Sequence, residues 1–212
     1  MGNKKLLKRF DKLINRQVYW LTADRLFGEL EEKYSSSKRR YHTFKHIREC
    51  LKEFDQVKDL LNKSGEVEMA IFYHDFIYDI NRHDDEMKSA KFMSNKLSGI
   101  GIRRDFVNNV SDLILSTKGH VPNSNPDSSY MIDIDLSIFG KSWERFFEYE
   151  KGINQEATFH EKYSLERYNK NRLFVLESFL NRERIYLTDH FRNKYEVKAK
   201  KNLEKEIKIL RV

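Results

Sequence analysis

Eight glycines and two prolines are all the backbone punctuation in a chain of 212 residues. Many short strands need frequent turns, and turns draw on Gly and Pro, so this scarcity favours long helices. Pro122 and Pro126 fall together in the stretch 121–129, whose Asn, Ser and Asp residues mark a loop. Elsewhere apolar residues recur at helical spacing. Leu6, Leu7, Phe10, Leu13 and Ile14 define a first helix, and Leu26, Phe27 and Leu30 a second that runs from the cap residue Thr22 to Tyr34. Thr43 caps a third, with Ile47, Cys50, Leu51, Phe54, Val57 and Leu61 on one face. After a break at Asn62 to Gly65, the pattern predicts a helix over 67–78, then one opened by Asp84 and one through Phe106, Val110 and Ile114. The run 131–140 alternates like a strand, but no partner strand is apparent, and it is read as a helix stopped by Gly140. Ser142 caps a helix interrupted near Gly152; another spans about 164–180, and Thr188 caps the last. The expectation is an all-α, single-domain bundle of about nine or ten helices over residues 1–212.

A mass of 25.6 kDa suits one domain with one hydrophobic core. The single cysteine, Cys50, excludes an internal disulfide framework and a cysteine-based zinc site, and it fits a reducing compartment. No stretch of ~18 apolar residues occurs, and the first sixteen residues interleave Lys and Arg with apolar positions instead of forming a signal-peptide core. The expectation is therefore a cytoplasmic protein with no membrane partner. Formal charge is +7 and is concentrated at the ends. Residues 1–16 hold six basic side chains against Asp11, and residues 192–211 hold eight against three glutamates, a balance of +5 in each. Basic ends can hold nucleic acid, although solvated helix faces are the commoner reading.

Against this background, Ala70-Ile71-Phe72-Tyr73-His74-Asp75-Phe76-Ile77-Tyr78-Asp79 sets an imidazole and a carboxylate into an apolar run. Burying both costs several kcal/mol unless they find hydrogen-bond or metal partners. The same question attaches to His46 in the first turn of its helix and to Asp135 and Asp133 in the apolar run 131–140, with His42 and His120 in reserve. Two imidazoles and two carboxylates make a mixed nitrogen and oxygen set, suited to one divalent ion, or two, drawn from Mn, Fe, Co, Ni, Zn or Mg. A bundle core can assemble such a set from separate helices. Four ligands leave positions for water and a phosphoryl oxygen, the requirements for hydrolysing a phosphoester or phosphoanhydride.

The ordered blocks carry a resemblance. Tyr41-His42-Thr43-Phe44-Lys45-His46-Ile47, Phe72 to Asp79, Asp85-Glu86 with Ser89-Ala90, Ile114 to His120 and Asp133 to Gly140 resemble the HD superfamily of metal-dependent phosphohydrolases. Within it the chain looks most like a branch of predicted HD phosphohydrolases of unassigned substrate. The C-terminal Arg172, Val175-Leu176, Phe179-Leu180, Arg182, Ile185-Tyr186 and Thr188 also match, so the likeness extends over nearly the whole chain. It implies a metal-binding core over about 39–140, with the helices of about 142–212 packed on it. It implies His46, His74, Asp75 and Asp135 as metal ligands, with Asp133 as the alternative to Asp135. Asp85 stands where that branch usually has Asn, and 153–157 lacks the branch's Arg and aromatic pair.

The remaining site residues carry two readings each. Lys118 and His120 either complement a helix C-terminus or bind phosphate and protonate a leaving oxygen. Arg39, Arg40 and Lys45 form a basic border that is either solvated or grips substrate phosphates. His42 packs beside Tyr41 or orients a ligand. His83, His160 and His190 read as surface residues. The expected activity is hydrolysis of a small phosphorylated molecule, a nucleotide by preference, with Asp75 or Asp135 assisting proton removal. The rivals are a metal-bound nucleotide sensor without turnover, and a nucleic-acid binder or RNA-directed phosphodiesterase using the basic ends. Apolar helix faces at both ends make a dimer conceivable.

Overall fold

The computed structural model describes residues 2–18, 23–79, 83–159 and 164–211. Thr22 and His160 lie outside the described residues. Ten α-helices and no strand occur among those described, so the chain is all-α, and no helix is long and apolar enough to cross a membrane. The chain divides into two compact units, one formed by Met1–Ser37 with His42–Ile132 and the other by Lys38–Tyr41 with Asp133–Val212.

The first unit holds α1 (Asn3–Asn15), α2 (Asp24–Tyr34), α3 (Phe44–Val57), α4 (Ser64–Tyr73), α5 (Asp85–Gly99) and α6 (Arg104–Ser116). A seventh helix, α7 (Ser128–Leu136), begins in it. Seven consecutive residues of α4, Val67 to Tyr73, are buried. A helix apolar on every side belongs at the centre of its layer, and α1, α3, α5 and α6 all pack against this one. Phe10 of α1 meets Phe72 edge-on at 5.1 Å, and the Tyr34 hydroxyl donates to the Phe72 carbonyl at 2.9 Å. Asp127 closes the base by accepting from the N–H groups of Asn62 (2.9 Å) and Lys63 (2.8 Å), the residues that lead into α4.

Helix α4 starts earlier and stops earlier than its apolar pattern suggests. It ends at Tyr73, five residues short of the expected Tyr78. Apolarity continues through Phe76 and Ile77, but side chains of α5 take the backbone donors there. Ile77 N–H donates to Ser89 Oγ at 2.9 Å, and Asp79 N–H to Asp85 Oδ2 at 2.5 Å. Phe76 stacks on Phe92 of α5 at 4.1 Å. The segment is thus pulled off the helix axis by α5.

The second unit is built of α8 (Trp143–Thr158), α9 (Leu165–Leu180) and α10 (Asp189–Leu210), with a 3-10 turn at Ser137–Gly140. Tyr195 lies so close to Gly140 that a Cβ there would stand 2.4 Å from it, so only glycine fits. Asn202 donates to the carbonyls of Phe139 (2.7 Å) and Lys141 (3.0 Å), tying α10 to the same turn. Ser142 and Ser164 cap α8 and α9 by accepting from Arg145 and Arg167 N–H groups. Helix α8 runs through Gly152 without the expected interruption. Glycine is there because Tyr41 crosses the helix, its Cβ 3.1 Å from where a glycine substituent would begin. The strap 38–41 is held in that position by Glu156 of α8, which accepts from Arg40 and Tyr41 N–H groups at 2.6 and 2.8 Å.

Candidate metal centre

His46 is the third residue of α3, whose first turn is fixed by Thr43 accepting from Lys45 N–H at 3.2 Å. The imidazole is buried, with Cys50 Sγ one turn on at 3.7 Å from its ring nitrogens. His74 is the C-cap of α4, its N–H bonded to Ala70 O at 2.9 Å. Its Nδ1 lies 3.0 Å from Ile71 O. A carbonyl only accepts, so Nδ1 carries the proton and the lone pair of a neutral ring is left on Nε2. Asp75 is the first residue past the cap, in the turn that α5 holds open.

Three ligand atoms converge. His46 Nε2 and His74 Nε2 are 3.0 Å apart, and Asp75 Oδ2 stands 3.3 Å from the first and 3.0 Å from the second. An octahedral ion with bonds of ~2.1 Å spaces adjacent ligands about 3.0 Å apart, whereas a tetrahedral one spaces them about 3.4 Å. The three separations are closer to one face of an octahedron. Two imidazole nitrogens and a carboxylate oxygen facing each other at these distances need a cation among them, a proton or a metal. Burial by itself would raise the Asp75 carboxyl, but the charge of His74 and His42 and hydrogen bonds from His46 and His74 hold it well below the usual carboxylate range. The carboxylate is therefore ionised, and its side chain is 18% exposed, which leaves a route in from solvent. His42 stacks on Tyr78 at 3.9 Å, a contact that steadies the far end of the same turn.

Among the described residues, His46, His74 and Asp75 thus form a group able to hold a metal ion inside the first unit. The other expected site residues are placed as follows. Asp133 is fully buried and committed within the second unit: it accepts from Leu187 N–H (2.8 Å), Thr188 N–H (2.7 Å) and the Thr188 hydroxyl (2.7 Å). It anchors the two residues that lead into α10 and engages the Thr188 hydroxyl, which makes no cap bond of its own. Burial pushes its carboxyl up to about 6 against the pull of those three donors. Asp135 is half-buried in the last turn of α7, also in the second unit. Lys118 and His120 occupy a 3-10 turn after α6, Lys118 exposed and His120 partly so, with Gly119 and His120 both left-handed at φ 68° and 54°. Lys45 is exposed on α3; Arg40 is exposed and Arg39 buried in the strap of the second unit. His83 is exposed, whereas His190 is half-buried at the start of α10.

Sequence reasoning missed the supports. Ile71 sets the His74 tautomer through its carbonyl, which no side-chain pattern reveals. Ser89 and Asp85 hold the Asp75 turn through hydrogen bonds. Both lie in the resembling block Asp85-Glu86 with Ser89-Ala90, but nothing in that block says which backbone groups they hold. Searches of family models, curated proteins and solved structures find no match to this chain.

Proposed function

We propose that the protein is a metal-dependent phosphohydrolase of a small phosphorylated molecule, with a nucleotide as the favoured substrate class. The observation that carries this reading is the convergence of His46, His74 and Asp75 at separations suited to one face of an octahedral ion. Two nitrogens and one oxygen favour Mn, Fe, Co or Ni over Mg, which prefers an all-oxygen shell. A divalent ion held there supplies activation of water and neutralisation of charge on a phosphoryl oxygen. Asp135 enters as a further ligand on the sequence resemblance alone, and Asp133 is set aside because its oxygens already serve α10.

The chain's own groups then divide the work. His74, its Nδ1 proton held by Ile71, offers Nε2 to the centre when an ion displaces the proton there. Asp75 stays ionised across the neutral range and is able to take a proton from an attacking water. Lys118 and His120, at the mouth of the 121–129 loop, are assigned to the phosphate and the leaving oxygen. A left-handed non-glycine backbone at His120 is the kind of strained position that accompanies function.

Metal analysis of the purified chain beside Asp75→Ala and His74→Ala tests the reading. Wild type is expected to hold about one divalent ion per chain and to release phosphate or pyrophosphate from a nucleotide panel with Mn, Mg, Co or Ni. Both variants are expected to lose metal and turnover while staying helical. Metal and nucleotide binding without any release would turn the reading into that of a sensor. Wild type free of metal at every supplementation would sink it.

A further inference from the structure

Apart from the metal centre, α1, α3 and α4 of the first unit enclose a cleft of about 220 Å3. Its floor is Arg9, which is half-buried beneath Phe54 and held by both oxygens of Asp55 at 2.8 Å and by Glu68. The two carboxylates saturate that guanidinium. Its rim carries Lys12, Arg16 and Lys58, all exposed, none of which pairs with a carboxylate among the described residues. Four cations against two carboxylates leave a surplus of two positive charges in one concavity, most of it on the rim.

We infer that this cleft is a binding site for a compact multivalent anion, of the class of inorganic pyrophosphate or a small phosphorylated metabolite. Three unpaired cations around a concave surface repel one another, and a dianion removes that repulsion while accepting hydrogen bonds from each. Lys12 lies in the last turn of α1 and Arg16, its C-cap, follows four residues on with helical backbone angles, so both reach the same side of the cleft. Size narrows the class. Pockets for drug-sized ligands run to ~300 Å3 and above, so the cleft suits a phosphate or diphosphate group better than a whole nucleotide. The site also draws in Lys12 and Arg16, two of the basic residues of 1–16 that the metal centre does not use.

Calorimetry on the full chain, stripped of metal with chelator so that the His and Asp centre takes no phosphate, tests this. Pyrophosphate is expected to bind wild type at low ionic strength, to weaken about tenfold in Lys12→Ala/Arg16→Ala, and to change less than about twofold in the control Lys170→Ala/Lys208→Ala. Circular dichroism is expected to show equal helix in all three. No heat with wild type, or equal affinity in the rim variant, overturns the assignment. So does retention on phosphatidic acid vesicles with no response to pyrophosphate, which would make the cleft a membrane-surface contact instead.

Discussion

In the second unit, Arg172 places Nε and Nη2 on the two oxygens of Glu150 at 2.8 and 2.6 Å, and Nη2 also meets the Tyr149 hydroxyl at 2.6 Å. In the first unit, Asp75 faces two imidazoles at 3.0 and 3.3 Å. Both places bury charge among helices. The first solution is closed, because guanidinium and carboxylate neutralise each other and their geometry is matched fork to fork. Burial works against the Arg172 charge, yet Glu150 beside it holds its pKa well above the ordinary value. The second solution is open: the imidazoles balance Asp75 only while they carry protons, and a divalent ion can take the place of those protons. Closed clusters build a core, and open ones recruit.

The sharpest way to break that contrast is to open the closed cluster. Arg172→Met leaves Glu150 buried without its partner and is expected to cost about 3–5 kcal/mol in urea denaturation. The double variant Arg172→Met/Glu150→Leu is expected to recover most of that. Closing the open cluster is the next largest effect. Saturating Mn at ~100 times its Kd is expected to stabilise wild type by about 2.7 kcal/mol, and Asp75→Ala to abolish the shift in a thermal melt. A metal-independent melting curve for wild type would leave a shared proton as the cation between the rings.

Asp133→Ala separates a closed carboxylate from an open one within a single apolar run. It strands the donors of Leu187 and Thr188 and is expected to destabilise by about 1–3 kcal/mol with metal content unchanged. Asp135→Ala is expected to do the reverse. Equal metal loss in both would erase the distinction. The smallest effect concerns Glu206, buried with no hydrogen bond at Oε2 and pushed up to about 7 by burial and then by Glu150. From its ordinary 4.5 up to about 7 the native state keeps a proton that the unfolded chain has lost, so stability falls as pH rises through that window and is flat above it. Glu206→Gln is therefore expected to stabilise at pH 8 and to be nearly neutral at pH 4, as measured by denaturant midpoints.

Helical periodicity made α3 and α6 legible because each buries one stripe, and period 3.6 is what a stripe writes into a sequence. It failed at the end of α4 because an apolar run looks the same whether it continues a helix or leaves it to meet Ser89 and Asp85. It failed at Gly152 because the crossing strap that requires a small residue lies more than a hundred positions earlier. Thr188 was correctly placed at the start of α10, but its hydroxyl donates to Asp133, 55 residues away, and makes no cap bond to the helix. At the centre, adjacency made His74 and Asp75 visible and the helix start made His46 visible. Their mutual spacing is set by how α3 and the end of α4 pack together in space and was not readable. The cleft at Arg9 was invisible too, since a basic amphipathic helix says nothing about which of its cations lack partners.

Because α4 stops at Tyr73, the amides of Ile77 and Asp79 hang on α5 and not on their own helix. Opening of that turn begins when Ser89 and Asp85 let go, a local event well below the free energy of melting α4 itself. Such an opening carries Asp75 away while His46 stays on α3 and His74 stays at the end of α4. The residence time of anything held by the three is then set by the rate at which a single turn breathes. Amide hydrogen exchange at Ile77 and Asp79 reads the free energy of that opening, and its rate where exchange outpaces reclosing.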